Sequence, residues 1–309
     1  MDPICHSLVG AALSSGGLKR WTGRATAILI VAANAPDVDV VAIALGRSLE
    51  LRRGLTHGIV ALALWPFLLG IAWRWWDRRR PGLEAVRFWP AVGLSAIGVL
   101  THSFLDFLNN YGLRWLIPPV DQWFYGDSLF IVDPWLYAAL GIGIWLSRRK
   151  EALGTPDPFR PARLGVAVAL VYIGGMMAST TLARTAVAAE LEGTSIAGAR
   201  FMATAVPVNP FVKDVVIDVG PAYRLGRYRF FGSPRLAMAT VVDKTVGGRG
   251  QVDRLRSTRE GRAFLHWSRF PVIRPVEDGQ FRIYDLRYSD GRRGWAALEF
   301  TTEPAVPPR

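Results

Sequence analysis

Cysteine is nearly absent. A single residue, Cys5, in a chain of 309 residues excludes an intrachain disulfide and any metal cluster built on thiolates, and Cys5 reads most simply as a small buried group. There is no internal repeat and no low-complexity tract. The basic start of a secretory leader is also missing, with Asp2 standing in its place, so no signal peptide is expected. Charge is lopsided rather than scarce: 37 Lys and Arg against 25 Asp and Glu leave a net charge of +12. In a soluble protein that excess would point to nucleic acid. Here many of the basic residues fall in short loops between apolar runs, where they set topology instead, and no nucleic-acid partner is expected.

What is plentiful is apolar surface. Half of the residues are hydrophobic and 12 are Trp, and the apolar residues concentrate before residue 182 in runs near the ~20 residues that cross a bilayer. Residues 4–18 form a short first run, ended by Gly16-Gly17. The second, 25–45, is interrupted by Asn34-Ala35-Pro36-Asp37-Val38-Asp39, where Pro36 predicts a kinked or broken helix. A broken membrane helix needs its freed backbone groups satisfied by protein, water or an ion. Runs 55–73, 89–108, 129–146 and 164–182 follow. The expected architecture is an α-helical polytopic membrane domain of about five to six spans, the first one short, over residues 1–182.

Residues 183–309 read differently. Short β-prone runs (215–217, 228–231, 236–242, 281–284, 295–300) alternate with turns, and Asp278-Gly279 and Asp290-Gly291 are hairpin signals. A small, mostly antiparallel β domain is expected there. His266 is a lone histidine with no carboxylate spaced to help it, and is read as a core or surface residue.

The positive-inside rule orients the chain. The loops 19–24, 74–87 and 147–163 are basic, the last carrying Arg148, Arg149, Lys150, Arg160 and Arg163. Two long apolar runs separate each from the next, so all three can be cytoplasmic. Residues 183–309 are then extracytoplasmic, in a multi-pass protein of the inner membrane. The polar residues inside the apolar runs now fall into one layer at the outer side: Asp37, Asp39, His57, His102, Asp106 and Asp133, joined by His6 if the first run crosses. Loop charges played no part in choosing these residues, so the agreement favours a site.

His102 and Asp106 stand at i and i+4, one face of a helix. A charged residue at mid-membrane costs about 2.5–3.5 kcal/mol, which makes such a pair a functional-site candidate; the plainer account is a buried His–Asp hydrogen bond that packs helices. With His6, Asp37, Asp39 and His57 the set has three imidazoles and three carboxylates, a mixed N/O donor set that suits Zn²⁺ and also Mn²⁺ or Fe²⁺. A divalent cation offsets the cost of burying these groups, and its bound water becomes a hydroxide nucleophile near neutral pH. Arg53, four residues before His57, can hold a phosphoryl oxygen or snorkel to the interface. Asp133 either orients a ligand histidine or caps a helix ahead of Pro134.

The segments Met1-Asp2-Pro3-Ile4-Cys5-His6, Ala35-Pro36-Asp37-Val38-Asp39, Arg53-Gly54-Leu55-Thr56-His57 and His102-Ser103-Phe104-Leu105-Asp106 resemble the YdjM-like family of inner-membrane proteins, described as metal-dependent hydrolases. The resemblance covers residues 1–180. The ligand order is also similar to part of the zinc site in zinc-dependent phospholipases C and single-strand nucleases. By that resemblance Asp37 or Asp39, His57, His102 and Asp106 hold one metal, and His6 and Asp106 help hold another. The family's usual His before Arg-Gly is Arg52 here, and no histidine after Asp106 completes a further metal site, so one or two metals are implied rather than three.

The expectation is therefore a membrane-bound metal-dependent hydrolase of a phosphoester, with a phospholipid head group among the candidates and the bilayer as its surroundings. The competing readings are a cation-binding transporter and a non-catalytic scaffold. A transporter needs access from both sides, and the polar residues occupy one layer. Substrate, metal identity and oligomeric state are not legible in the sequence.

Overall fold

The computed structural model describes residues 1–82, 84–244, 249–277, 279–289 and 296–301. Asp278, Asp290, Gly291 and Trp295, which the hairpin and strand expectations invoked, lie outside the described residues. The chain divides into two compact units, Met1–Ala42, Leu51–Leu182 and Thr204–Phe211 in the first, and Ile43–Glu50, Ala183–Ala203 and Val212–Arg309 in the second.

The first unit is helical. Helix α1 (Pro3–Ser15) starts where Asp2 accepts from the backbone N–H groups of Ile4 (2.9 Å) and Cys5 (3.2 Å) ahead of Pro3, a side-chain cap with proline in the first turn. Helix α2 (Ala25–Ala32) gives way to a 3-10 turn, Ala35–Val40, with Pro36 in its first turn. The single turns α3 (Val41–Ala44) and α4 (Ser48–Leu51) follow. Segments 25–32 and 35–44 are bent by 47°, the break that Pro36 predicts. The long helices are α5 (Ile59–Arg79), α6 (Phe88–Leu108), α7 (Pro134–Ala152) and α8 (Arg160–Leu191).

Two glycines let α2 pack closely on both sides. A Cβ on Gly10 of α1 would stand 2.9 Å from the Leu29 carbonyl oxygen, and one on Gly98 of α6 would stand 2.7 Å from Ala32 Cβ. Small residues at helix contacts bring backbones together where lipid provides no hydrophobic drive. Cys5, Ala12, Leu105, Leu108, Leu129 and Leu136 form a buried cluster among α1, α6 and α7, and Cys5 is buried as a free thiol.

By length and composition α5, α6 and α8 can cross a membrane, and the bent pair makes a fourth if it is one span. This is fewer than the five to six expected. At 13 residues α1 reaches about 20 Å, short of the hydrocarbon core, and the last turns of α7 carry Arg148, Arg149 and Lys150. Two boundaries also move. The loop expected from residue 74 begins after Arg79, because α5 continues through Arg74, Arg78 and Arg79, and arginine is a good helix former. The apolar run 164–182 belongs to a single helix that continues to Leu191.

The second unit holds two sheets, β1-β2-β3-β4 and β5-β6-β7: β1 (Phe201–Ala205), β2 (Val212–Asp218), β3 (Ala222–Arg229), β4 (Leu236–Asp243), β5 (Pro271–Pro275), β6 (Gln280–Asp285) and β7 (Ala297–Thr301). The β2/β3, β3/β4, β5/β6 and β6/β7 pairs are antiparallel, and Gly279 takes φ +72° in the turn into β6. Two helices that the alternation of short runs concealed, α9 (Arg249–Ser257) and α10 (Arg259–Trp267), stand between the sheets in sequence, and His266 lies in the last turn of α10.

Candidate metal centre

Helix α6 presents His102 and Asp106 one turn apart, both fully buried. The 3-10 turn after α2 supplies Asp37 and Asp39, and the segment just before α5 supplies Arg52, Arg53, Thr56 and His57. Arg53 has φ +51°, a conformation that costs a non-glycine residue about 1–3 kcal/mol. Two bonds hold it there: its N–H donates to Asp39 Oδ2 at 2.7 Å, and its carbonyl accepts from the Arg114 N–H at 2.9 Å.

The two histidines are anchored through their Nδ1 atoms. His102 Nδ1 lies 2.7 Å from the Ala33 carbonyl oxygen, an acceptor only, so Nδ1 carries the proton and Nε2 keeps its lone pair. His57 Nδ1 lies 3.0 Å from Thr56 Oγ1 and 3.4 Å from Asp39 Oδ2, while the Thr56 hydroxyl donates to that same oxygen at 3.2 Å. That chain places the His57 proton on Nδ1 and its lone pair on Nε2 as well. Fixing a ligand imidazole through its far nitrogen is the usual way to orient it toward a metal.

The result is a cluster of acceptors facing one another. His57 Nε2 and His102 Nε2 are 3.1 Å apart. Asp106 Oδ2 stands 3.5 Å from the first and 3.3 Å from the second, and Asp37 Oδ1 stands 3.9 and 4.0 Å from them. Among the described residues, Asp106 Oδ2 and Asp37 Oδ1 are buried without a hydrogen-bond partner. One donor atom from each of Asp37, His57, His102 and Asp106 lies within 4.8 Å of the others. Facing lone pairs and carboxylate oxygens repel unless a cation lies between them. In a tetrahedral zinc site with bonds of 2.0–2.1 Å, ligand atoms are about 3.3–3.4 Å apart, and the 3.1–3.5 Å separations among His57, His102 and Asp106 match that edge. The residues present therefore fit a divalent ion, with Asp37 as the loosest member.

The expected set thus separates into donors and supports. Asp37, His57, His102 and Asp106 come together. Asp39 faces the far nitrogen of His57 and orients it instead of joining the four. His6 sits on the other side of Asp106, its Nε2 3.3 Å from Oδ1 and its ring stacked on His102 at 3.9 Å between centroids. Among the described residues neither ring nitrogen of His6 has a hydrogen-bond partner, and the Asp106 oxygen it faces, Oδ1, also meets Arg53 and the amino terminus of Met1.

Arg53 differs most from the place sketched for it. Its Nη2 lies 3.0 Å from Asp106 Oδ1, where the amino terminus of Met1 also binds, and its guanidinium lies 4.9 Å from the Tyr111 ring centroid. The guanidinium is spent on Asp106 Oδ1 and on the backbone carbonyls of Asp106, Gly112 and Met1, so its evident task is to hold Asp106. Asp133 resolves toward the cap: it accepts from the N–H groups of Trp135 (3.0 Å) and Leu136 (3.2 Å), and the Tyr172 hydroxyl donates to Oδ2 at 2.9 Å.

Three parts of the site went unassigned in the sequence. Thr56 stood inside a quoted motif without a role, and Arg52 only marked a departure from the family's usual histidine. The Ala33 carbonyl carries no side-chain signal at all. Arg52 lies 3.6 Å from both Asp37 Oδ1 and Asp39 Oδ1. The three acidic side chains Asp37, Asp39 and Asp106 thus stand against Arg52, Arg53 and the amino terminus of Met1.

The YdjM inner membrane protein family matches residues 1–183, more than half of the chain, and the chain belongs to that family. No curated protein and no solved structure matches it.

Proposed function

We propose that this YdjM-family chain is a metal-dependent hydrolase of the inner membrane that cleaves a phosphoester, with zinc as the resident ion. The observation that carries the reading is the convergence of two Nε2 atoms and the Asp106 carboxylate oxygen at tetrahedral-edge spacing, with Asp37 beside them and both imidazoles pinned from behind. When bound, a divalent ion supplies the Lewis acidity and the neutral-pH water nucleophile that phosphoester hydrolysis needs. The chain's own residues do the rest. The Ala33 carbonyl and the Thr56–Asp39 pair hold Nδ1 of both histidines, which turns Nε2 of each toward the site. Arg53 neutralises one Asp106 oxygen and leaves the other to the site. Full burial of His57, His102 and Asp106 keeps bulk water away and strengthens each electrostatic contact.

In this reading the protein is multi-pass, the site lies toward the outer leaflet, and residues 183–309 are extracytoplasmic. That orientation takes α7 as a further span, which puts the three basic loops on one side, and the resemblance of the ligand order to part of the zinc site of zinc-dependent phospholipases C supports the phosphoester. The test is metal content by elemental analysis on detergent-purified protein, with turnover of bis-p-nitrophenyl phosphate, p-nitrophenyl phosphate and phosphatidylcholine. The expected result is at least about one transition metal per chain, as a closed His/Asp site holds, and turnover above an Asp106→Asn blank on one of these substrates. Metal-loaded protein that does no better than the blank on all of them refutes the hydrolase.

A further inference from the structure

Access to the cluster is uneven. The side chains of His57, His102 and Asp106 are 0% exposed and that of Asp39 is 4% exposed, whereas Asp37 is 14% and Arg52 24% exposed. Whatever reaches the donor set meets Asp37 and Arg52 first. Arg52 pairs electrostatically with Asp37 and Asp39, but loosely. Among the described residues its guanidinium donates no hydrogen bond, its buried Nε has no partner, and it stands 3.6 Å from each of two carboxylates, beyond bonding distance. Its Nη2 approaches the same Asp37 oxygen that faces the two histidines. A half-buried guanidinium held one carboxylate away from an ion site, ion-paired but without a hydrogen bond of its own, keeps its donors for an anion with several oxygens. The two segments that carry Asp37 and Arg52 also expose apolar side chains: Val38, Val41 and Leu55 are 50%, 57% and 62% exposed.

We propose that Arg52 binds the phosphoryl group of an amphiphilic phosphoester whose apolar chain lies along Val38, Val41 and Leu55. The assignment rests on the hydrolase reading for its substrate class, but it concerns binding and is tested apart from turnover. It also gives the adjacent arginines different work, Arg53 inside on Asp106 and Arg52 at the mouth on the ligand.

The experiment titrates the full-length, metal-loaded protein in dodecyl maltoside with two probes by isothermal calorimetry, inorganic phosphate and dioctanoyl phosphatidic acid. Wild type, Arg52→Ala and Arg52→Lys are compared, with metal content and melting temperature measured on each. Arg52→Ala is expected to weaken both probes by about tenfold or more, the share of one charge-assisted contact. Arg52→Lys should recover part of the loss, since it keeps the charge without the fork. Metal content and melting temperature should stay at wild-type values. The phosphatidic acid should bind tighter than phosphate, and equal affinity removes the amphiphile. Unchanged binding in Arg52→Ala, no phosphate binding by wild type, or loss of metal in Arg52→Ala each overturns the assignment, the last by showing a structural counter-ion. Arg52-dependent binding without turnover of any phosphoester leaves the assignment standing and removes the hydrolase. Turnover with an unchanged KM in Arg52→Ala does the reverse.

Discussion

Replacing Asp106 by asparagine keeps the shape of the side chain and removes its charge, and the structure says what each half of the change does. At Oδ1, Arg53 at 3.0 Å loses its counter-ion in a fully buried place. Removing one partner of a buried ion pair costs about 3–5 kcal/mol, which lowers the melting temperature on the order of 10 °C. At Oδ2, the position 3.3–3.5 Å from both histidines loses its anionic donor or is filled by an amide nitrogen that cannot ligate. The expected outcome is therefore double: lower stability of the metal-free protein, and loss of the extra stability that zinc confers. A ligand at a hundred times its dissociation constant stabilises by about 2.7 kcal/mol, readable as a zinc-dependent rise in melting temperature in wild type. Asp106→Asn should show no such rise. Adding Arg53→Met to Asp106→Asn should cost less than Arg53→Met alone, because the pair is already broken. A zinc-induced shift in Asp106→Asn equal to that of wild type would refute the donor assignment, and additive costs for the two changes would refute the Arg53–Asp106 coupling.

Asp39→Ala should weaken zinc by about 10–100-fold without abolishing it, as for other residues that orient a ligand histidine, whereas His57→Ala should abolish stoichiometric binding; chelator competition separates the two, and equal losses would remove the distinction between donor and support. Gly98→Leu should also weaken the metal, because even a Cβ there meets Ala32 Cβ at 2.7 Å and Ala33 N at 2.9 Å, displacing the carbonyl that pins His102; unaltered affinity would show that α2 can yield. An alkaline phosphatase fused at the C-terminus should be active outside the cytoplasm, and an inactive fusion beside a fluorescent cytoplasmic reporter would invert the topology. In the second unit, burial opposes ionisation of Asp285, but Arg287, with Nε at 2.9 Å, and the Ser268 hydroxyl outweigh it and hold the carboxyl below its ordinary value. A depressed folded pKa contributes stability above the unfolded value of about 3.9, and that stability is lost as pH falls through the folded pKa. Asp285→Asn should therefore lower the melting temperature at pH 7 and narrow its gap to wild type as the pH falls below about 4; a gap independent of pH would refute the linkage.

The parts of the fold legible in the sequence follow short-range rules. The pairing of His102 with Asp106 needs only the period of a helix, the break before Asp37 needs only a proline, and the cap on α1 needs only Asp2 and Pro3. The β-prone runs 215–217, 236–242 and 281–284 lie in strands β2, β4 and β6 because alternation is likewise local. Where the local signal was mixed, the reading slipped. The arginines of 74–79 mark a loop by charge but continue a helix by propensity, with Arg79 lying 3.9 Å from the Trp75 ring centroid. Helices α9 and α10 are one short stretch apiece, of 9 residues, too brief for their period to stand out from the strands around them.

The site shows the same division more sharply. Sequence alone identified which residue types gather, because ionisable side chains in apolar runs are costly wherever they occur. It could not say which carboxylate faces the histidines and which stands behind them, nor which of two adjacent arginines is spent inside. Those roles depend on contacts that close over long stretches of chain. The Asp39–Arg53 backbone bond spans 14 residues, and the bond from His102 to the Ala33 carbonyl spans 69. Local chemistry determines what each residue can do. Only the packing of α2 and α6 around the broken turn decides which lone pairs meet, because a difference of one carboxylate oxygen separates a donor from its support.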